Sequence, residues 1–304
     1  MNSFPRLQHL FKAMWPPLPV WKRLDAAVLA MIVYSVAVGA VVELTGAKMP
    51  KWGGILTLLN VVVLGVLLQF RNRESYDRWW EARRLWGQLV NDSRNLGLKL
   101  ASMPSLTTED RSDVGRLIVG FAVALRNHLR GGMSQQAAPS LVVAPHFPTH
   151  IPLDFARRTT ALLRSWREKA MITDWDLLML DPHSRGQADV LGACERIKNT
   201  PLPLSYRSLL RHGLVLYLFS CPWMVFEEIG WWGLPAIALL TYFLLGIEFT
   251  AEDVEEPFGR DTDDLALNTY CETIRRSVVE VLGITAVDLS DSLESTAMAM
   301  AKKK

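Results

Sequence analysis

The stretch FRNRESYDRWWEARRLWG, Phe70–Gly87, decides how the chain is read, because it follows an apolar run without a break. That run, Ile55–Phe70, contains only Thr57, Asn60 and Gln69 as polar members and no charge. It turns at once into a segment crowded with Arg, Glu and Trp. Such a junction suits a helix that leaves a membrane and continues into water lined by ionic groups. Within the run, Val62, Val66 and Phe70 recur at four-residue spacing and therefore share one helix face. A stripe of this kind either packs against another helix or lines a narrow apolar passage.

Three more apolar segments accompany it: Ala26–Leu44, Leu214–Phe226 and Leu234–Phe249. A membrane span takes about 20 apolar residues. The first segment comes close alone, and the others do so within a bundle, extended by interfacial aromatics or lining water. Trp52, Trp223, Trp231 and Trp232 fall near segment ends, where an aromatic belt sits. Half of the 304 residues are apolar, and soluble chains rarely combine this content with runs of such length. Arg6, Lys12, Lys22 and Arg23 flank the first segment, and Arg71, Arg73, Arg78, Arg83 and Arg84 follow the second. The loop Glu227–Gly233 between the third and fourth has no Lys or Arg. By the positive-inside rule both termini and the long middle region are cytoplasmic, with Lys48 and Lys51 as a weaker contrary signal. The N-terminus reads as an uncleaved anchor.

The middle region, from Arg71 to about Tyr206, is soluble in character. Helical periodicity recurs in Asp77–Leu100, Asp110–Leu129, Leu153–Arg167 and Gln187–Ile197, with no strand-like alternation. Thr107 with Asp110 supplies a helix start, and Pro139, Pro145, Pro148 and Pro152 mark a loop. Four stretches result: 1–70 with the first two membrane helices, 71–206 as a cytoplasmic helical region, 207–250 with the last two, and 251–304 as an acidic segment and helix.

Several function classes are excluded. A net charge of +2 with no basic run argues against nucleic acid. There is no HExxH, P-loop, GxGxxG or GxSxG pattern, so an enzyme is disfavoured. Cys194, Cys221 and Cys271 lack metal or disulfide spacing and read as reduced packing residues. His146 and His150 have helical ligand spacing, but Pro148 between them makes that segment a loop. Arg207, Arg211 and His212 approach the third apolar segment, where snorkelling is the default.

The quoted block resembles the bestrophin family through Phe70, Arg71, Asn72, Tyr76, Arg78, Trp80, Glu81, Ala82, Arg83, Leu85, Trp86 and Gly87. A second block, Glu255-Glu256-Pro257-Phe258-Gly259-Arg260-Asp261-Thr262-Asp263-Asp264, is similar to the family's Pro-Phe-Gly element and the acidic cluster after it. Pro201 and Pro203 match its lead-in to the third membrane segment. The resemblance implies an all-α membrane protein with four transmembrane helices continuous with a cytoplasmic helical bundle. It also implies a homopentamer around a central pore, embedded in lipid in a bacterial inner membrane.

The implied function is passive transport of small ions, chloride first. A cation channel for Na⁺ or K⁺ and a non-conducting membrane scaffold are the alternatives. Val62, Val66 and Phe70 would form the hydrophobic neck, aliphatic at two positions where animal members carry phenylalanine. Asp176, Leu177 and Leu180 would form a cytoplasmic aperture, or the leucines would pack in a core. Calcium would lie at Asp261 and Asp264, although Arg260 stands where animal members have an acid. The bland reading of that stretch is a solvated acidic loop.

Overall fold

Helix-starting chemistry recurs along this chain. In the computed structural model, which describes residues 19–46, 53–131 and 150–285, it produces eight α-helices and no strand among the described residues. They are α1 (Pro19–Thr45), α2 (Gly53–Ala101), α3 (Thr108–Leu129), α4 (Ile151–Glu168), α5 (Asp174–Asn199), α6 (Leu204–Ile229), α7 (Gly233–Glu255) and α8 (Leu267–Leu282). Thr107 caps α3 and Thr173 caps α5, each in a reciprocal box with the Asp three residues on. Burial pushes the Asp110 carboxyl up, but the Thr107 side-chain and backbone donors outweigh it and hold Asp110 below the usual carboxylate range. The Thr173 box starts α5 well before the periodicity at Gln187, and Pro182 is carried inside the helix.

The described residues divide into two units. Unit 1 takes those up to Asp77 together with Leu202–Glu255. Unit 2 takes Arg78–Pro201 and those from Glu256 onward. Two stretches of unit 1 are long and apolar enough to cross a membrane, Val20–Thr45 and Leu204–Glu255. The second has 52 residues and would extend about 78 Å as one helix, far beyond a hydrocarbon core of roughly 30 Å. Instead it breaks at a 3₁₀ turn, Gly230–Trp232, where Gly230 takes a φ of +56°. That left-handed backbone is open to glycine at little cost. The two resulting helices, α6 and α7, pack on each other and on α1. Leu29, Val33, Leu216, Phe219 and Phe243 remain exposed, an apolar exterior suited to lipid or a neighbouring subunit.

Two of the expected belt tryptophans make polar contacts in this unit. Trp223 Nε1 donates to the Tyr34 hydroxyl at 2.9 Å, and Trp231 Nε1 donates to Glu43 at 3.1 Å. Trp232 is exposed, and Trp52 lies outside the described residues.

Unit 2 is built around one apolar core. Ala82, Trp86 and Leu89 of α2 meet Phe121 and Leu125 of α3, Leu163 and Trp166 of α4, Leu180 and Val190 of α5, and Ile274 and Val278 of α8. The helices α3 and α4 approach so closely at Gly120 that a β-carbon there would lie 2.4 Å from the Phe155 ring. Cys194, Cys221 and Cys271 are all buried and unpaired with one another. Burial pushes the Cys194 thiol up to about 12 and the Cys271 thiol to about 11, so neither offers a thiolate.

Gly120→Val forces the Phe155 ring out of place and is expected to destabilise unit 2 by about 1–3 kcal/mol. Gly192→Ala, whose added carbon meets nothing within 4 Å, holds or raises the thermal midpoint. Thermal unfolding of the two variants side by side checks the contrast.

Candidate functional site

The step from Phe70 to Arg71 is where the apolar run ends, and the two side chains take opposite fates. Arg71 is wholly buried, at 0% exposure. Its Nε lies 3.2 and 3.3 Å from the two carboxylate oxygens of Glu248, and its Nη1 donates to Glu255 at 2.9 Å. Both acids are themselves buried. Glu255 also accepts the backbone N–H of Leu202 at 3.1 Å. Arg211 reaches Glu248 at 3.3 Å and Glu252 at 2.6 Å, Arg207 lies 3.8 Å from Glu255, and Arg23 holds Glu252 and Asp253. Four guanidinium groups thus face four carboxylates on α1, α2, α6 and α7. Arg207 and Arg211 turn to the acids of α7, which departs from the snorkelling expected of them.

This cluster sets the rotation of α2. At about 100° per residue, Val62, Val66 and Phe70 lie within roughly 80° of one another, and Leu64, Leu68 and Arg71 lie on the far side. Leu64, Leu68 and Arg71 are buried, whereas Val62, Val66 and Phe70 are 58%, 51% and 52% exposed. The neck residues expected from the spacing therefore share one uncovered apolar face of a single chain. Arg73 and Asp77 continue that face, exposed and 3.8 Å apart. In unit 2, Trp80, Arg84, Gln88, Asn91 and Asn95 are exposed at the same three- and four-residue spacing.

Most of the remaining signature block is structural. Arg78 donates to the carbonyls of Ile197 and Thr200, both at 2.6 Å, and closes the C-terminal end of α5. Trp79 Nε1 donates to the Asp263 carbonyl at 3.0 Å. Arg83 lies over the Tyr270 ring, Glu81 accepts from Arg196, and Ala82 and Trp86 are core.

The expected aperture needs correction. Leu180 has 0% exposure and belongs to the core of unit 2, so it lines no opening. Leu177 is half-buried against that core. Asp176 is spent on the helix start, accepting the backbone N–H and hydroxyl of Thr173, which hold its carboxyl below the usual range. Trp175, Leu178 and Met179 are the exposed apolar residues of this turn. Leucine spacing identified a helix face but not which side was covered.

Calcium fits the acidic loop poorly. Asp264 accepts the Asp261 backbone N–H at 2.6 Å and so closes the loop itself. Burial raises its carboxyl above the ordinary value. The Gly259 carbonyl accepts from Arg130 Nε at 3.0 Å, so a guanidinium already stands beside it.

In the sequence Glu248 lies unmarked near the end of the segment Leu234–Phe249, and Glu255 is one member of an acidic stretch. The signal for both was an acid at the end of an apolar span, with Arg71 ending another. Sequence reasoning also missed that His150 joins His128 and Glu195; His146 lies outside the described residues.

Comparison with known proteins places these features. Residues 9–280 match the family described as Bacterial/Fungal Bestrophin protein. A voltage-dependent anion channel-forming protein of Nostoc sp. is 33% identical, over 82% of this chain and 84% of its own length. A protein of the same name from Synechocystis sp. is 30% identical, over 74% of this chain and 76% of its own. The crystal structure of a bacterial bestrophin homolog from Klebsiella pneumoniae superposes with a TM-score of 0.77 at 23% identity. It covers 86% of this chain and 99% of the other, so the two share a fold.

Removing one partner from a buried ion pair strands the others without water. Arg71→Met is therefore expected to cost about 3–5 kcal/mol. Adding Glu248→Gln and Glu255→Gln to it recovers much of the loss. Thermal unfolding of the single and triple variants in detergent reads the difference.

Proposed function

Because the chain belongs to the bestrophin family, in its bacterial and fungal branch, we propose that it forms a channel for small anions such as chloride, as a homopentamer around one axial pore. The observation that carries this reading is the uncovered apolar face of Val62, Val66 and Phe70, held outward by a buried ionic cluster behind it. Five copies facing one another make a constriction about 12 Å long, from the helical rise between Val62 and Phe70.

An ion crossing that ring gives up part of its hydration, so the neck admits it only when wet and closes by dewetting. Five Phe70 rings present their electropositive edges where the apolar stripe meets the polar one. Arg73 and Asp77 nearly cancel each other there. The names of the Nostoc and Synechocystis relatives point to the same sign of charge. The protein would sit in a bacterial inner membrane with four crossings and both termini in the cytoplasm. The exposed exterior of α1, α6 and α7 would meet lipid. Transport is passive.

The reversal potential of purified protein in a planar bilayer under a KCl gradient tests the reading. The expected value moves towards the chloride potential. A shift towards the potassium potential overturns the anion assignment, and a silent, well-folded oligomer overturns the channel. Phe70→Ala and Val66→Ala should each raise conductance by removing bulk from the barrier. Unchanged currents from both would sink the neck assignment.

A further inference from the structure

Three side chains that conduction does not use converge where α3 ends and α4 begins. His128 lies in the last turn of α3, His150 is the N-cap of α4, and Glu195 projects from α5. Glu195 Oε1 is 2.6 Å from His128 Nε2 and 2.8 Å from His150 Nε2. The two imidazole rings are tilted by 37° with centroids 4.8 Å apart. Among the described residues this is the one group of three His, Cys, Asp or Glu side chains whose ligand atoms all lie within 4.8 Å of one another.

The hydrogen bonding fixes part of the chemistry. The backbone N–H of Leu153 donates to His150 Nδ1 at 3.3 Å, so that ring carries its proton on Nε2, aimed at Glu195. One carboxylate oxygen therefore stands between two Nε2 atoms, at the point where a cation could replace the shared proton contacts. Burial pushes the Glu195 carboxyl up, but the two imidazole hydrogen bonds outweigh it and keep it below the ordinary value. The two imidazoles are 33% exposed and the Glu195 side chain 27%, so solvent reaches all three. The neighbouring cations are otherwise engaged: Lys198 donates to the His128 carbonyl, and Arg196 to Glu81. The adjacent Cys194 thiol is buried in the core and adds no ligand.

We propose that His128, His150 and Glu195 form a site for a transition-metal dication of the zinc class. Two imidazole nitrogens and one carboxylate oxygen are a donor set that suits Zn²⁺ with one position left to water, and it disfavours Mg²⁺ and Ca²⁺, which want oxygen. Binding replaces the two imidazole–Glu195 hydrogen bonds with bonds to the metal. The His150 proton moves from Nε2 to Nδ1, which gives up the long Leu153 contact. The ion ties three helices together at both ends of the 132–149 segment. A protonated imidazole cannot ligate, so acid competes with the metal.

The test is calorimetric titration of chelator-stripped, full-length protein in detergent with ZnCl₂, against MgCl₂ and CaCl₂, with thermal unfolding in parallel. The expected result is one Zn²⁺ per chain, a raised thermal midpoint with Zn²⁺ alone, and weaker binding in acid. His128→Ala, His150→Ala and Glu195→Gln should each weaken Zn²⁺ by more than about tenfold. Glu195→Gln keeps an acceptor for both rings, so it decides the matter if a histidine variant fails to fold. Equal responses to the three metals, or Zn²⁺ affinity unchanged in Glu195→Gln, overturn the site.

Discussion

Everything in unit 1 turns on a fully buried arginine. Burying a guanidinium is costly unless its charge is paired, and Glu248 and Glu255 pair it through Nε and Nη1 from one side of α2, leaving Nη2 buried without a hydrogen-bond partner. Such an arrangement is intolerant of rotation. Turning α2 by even one residue's worth of angle would bring an apolar side chain to the carboxylates and carry Arg71 towards the exposed face. The cluster therefore acts as a register pin. The outward direction of Val62, Val66 and Phe70 follows from it, although none of the three touches a charge in the cluster.

The two faces of α2 divide the labour between specificity and passage. Apolar packing of Leu64 against Leu214, Tyr217 and Leu218 would tolerate several rotations of a smooth helix, because dispersion is nearly indifferent to azimuth. Ion pairing is not. The fold thus places its most orientation-sensitive interaction one residue from the end of the apolar stripe, where an error in angle would matter most for a narrow opening.

How far the sequence revealed this can be argued residue by residue. The Val62, Val66, Phe70 stripe was legible because helical periodicity is local, and so was the Thr107 capping box. The core position of Leu180 was not, since a leucine pair on one face says nothing about which face is covered. The burial of Arg71 was hidden because its partners lie 177 and 184 residues away. His128 and Glu195, separated by 67 residues, were invisible for the same reason. In the loop after α7, the resemblance marked Asp261 and Asp264 as ligands, but the local hydrogen bonds that consume Asp264 depend on backbone geometry that no motif encodes.

Unit 1 is discontinuous in the chain, with all of Arg78–Pro201 between its two parts, and this has a consequence for biosynthesis. At roughly 5–20 residues per second on the ribosome, the acids that neutralise Arg71 emerge about 10–35 seconds after it. Throughout that interval the nascent α2 carries an unpaired cation at the foot of an apolar run, and α1 lacks the hairpin it packs against. The early helices must wait at the translocon or in the care of a chaperone until the last third of the protein is made. The cell's quality control would therefore meet this protein mostly as a half-assembled chain, since unit 2 also waits for Ile274 and Val278 of α8 to complete its core.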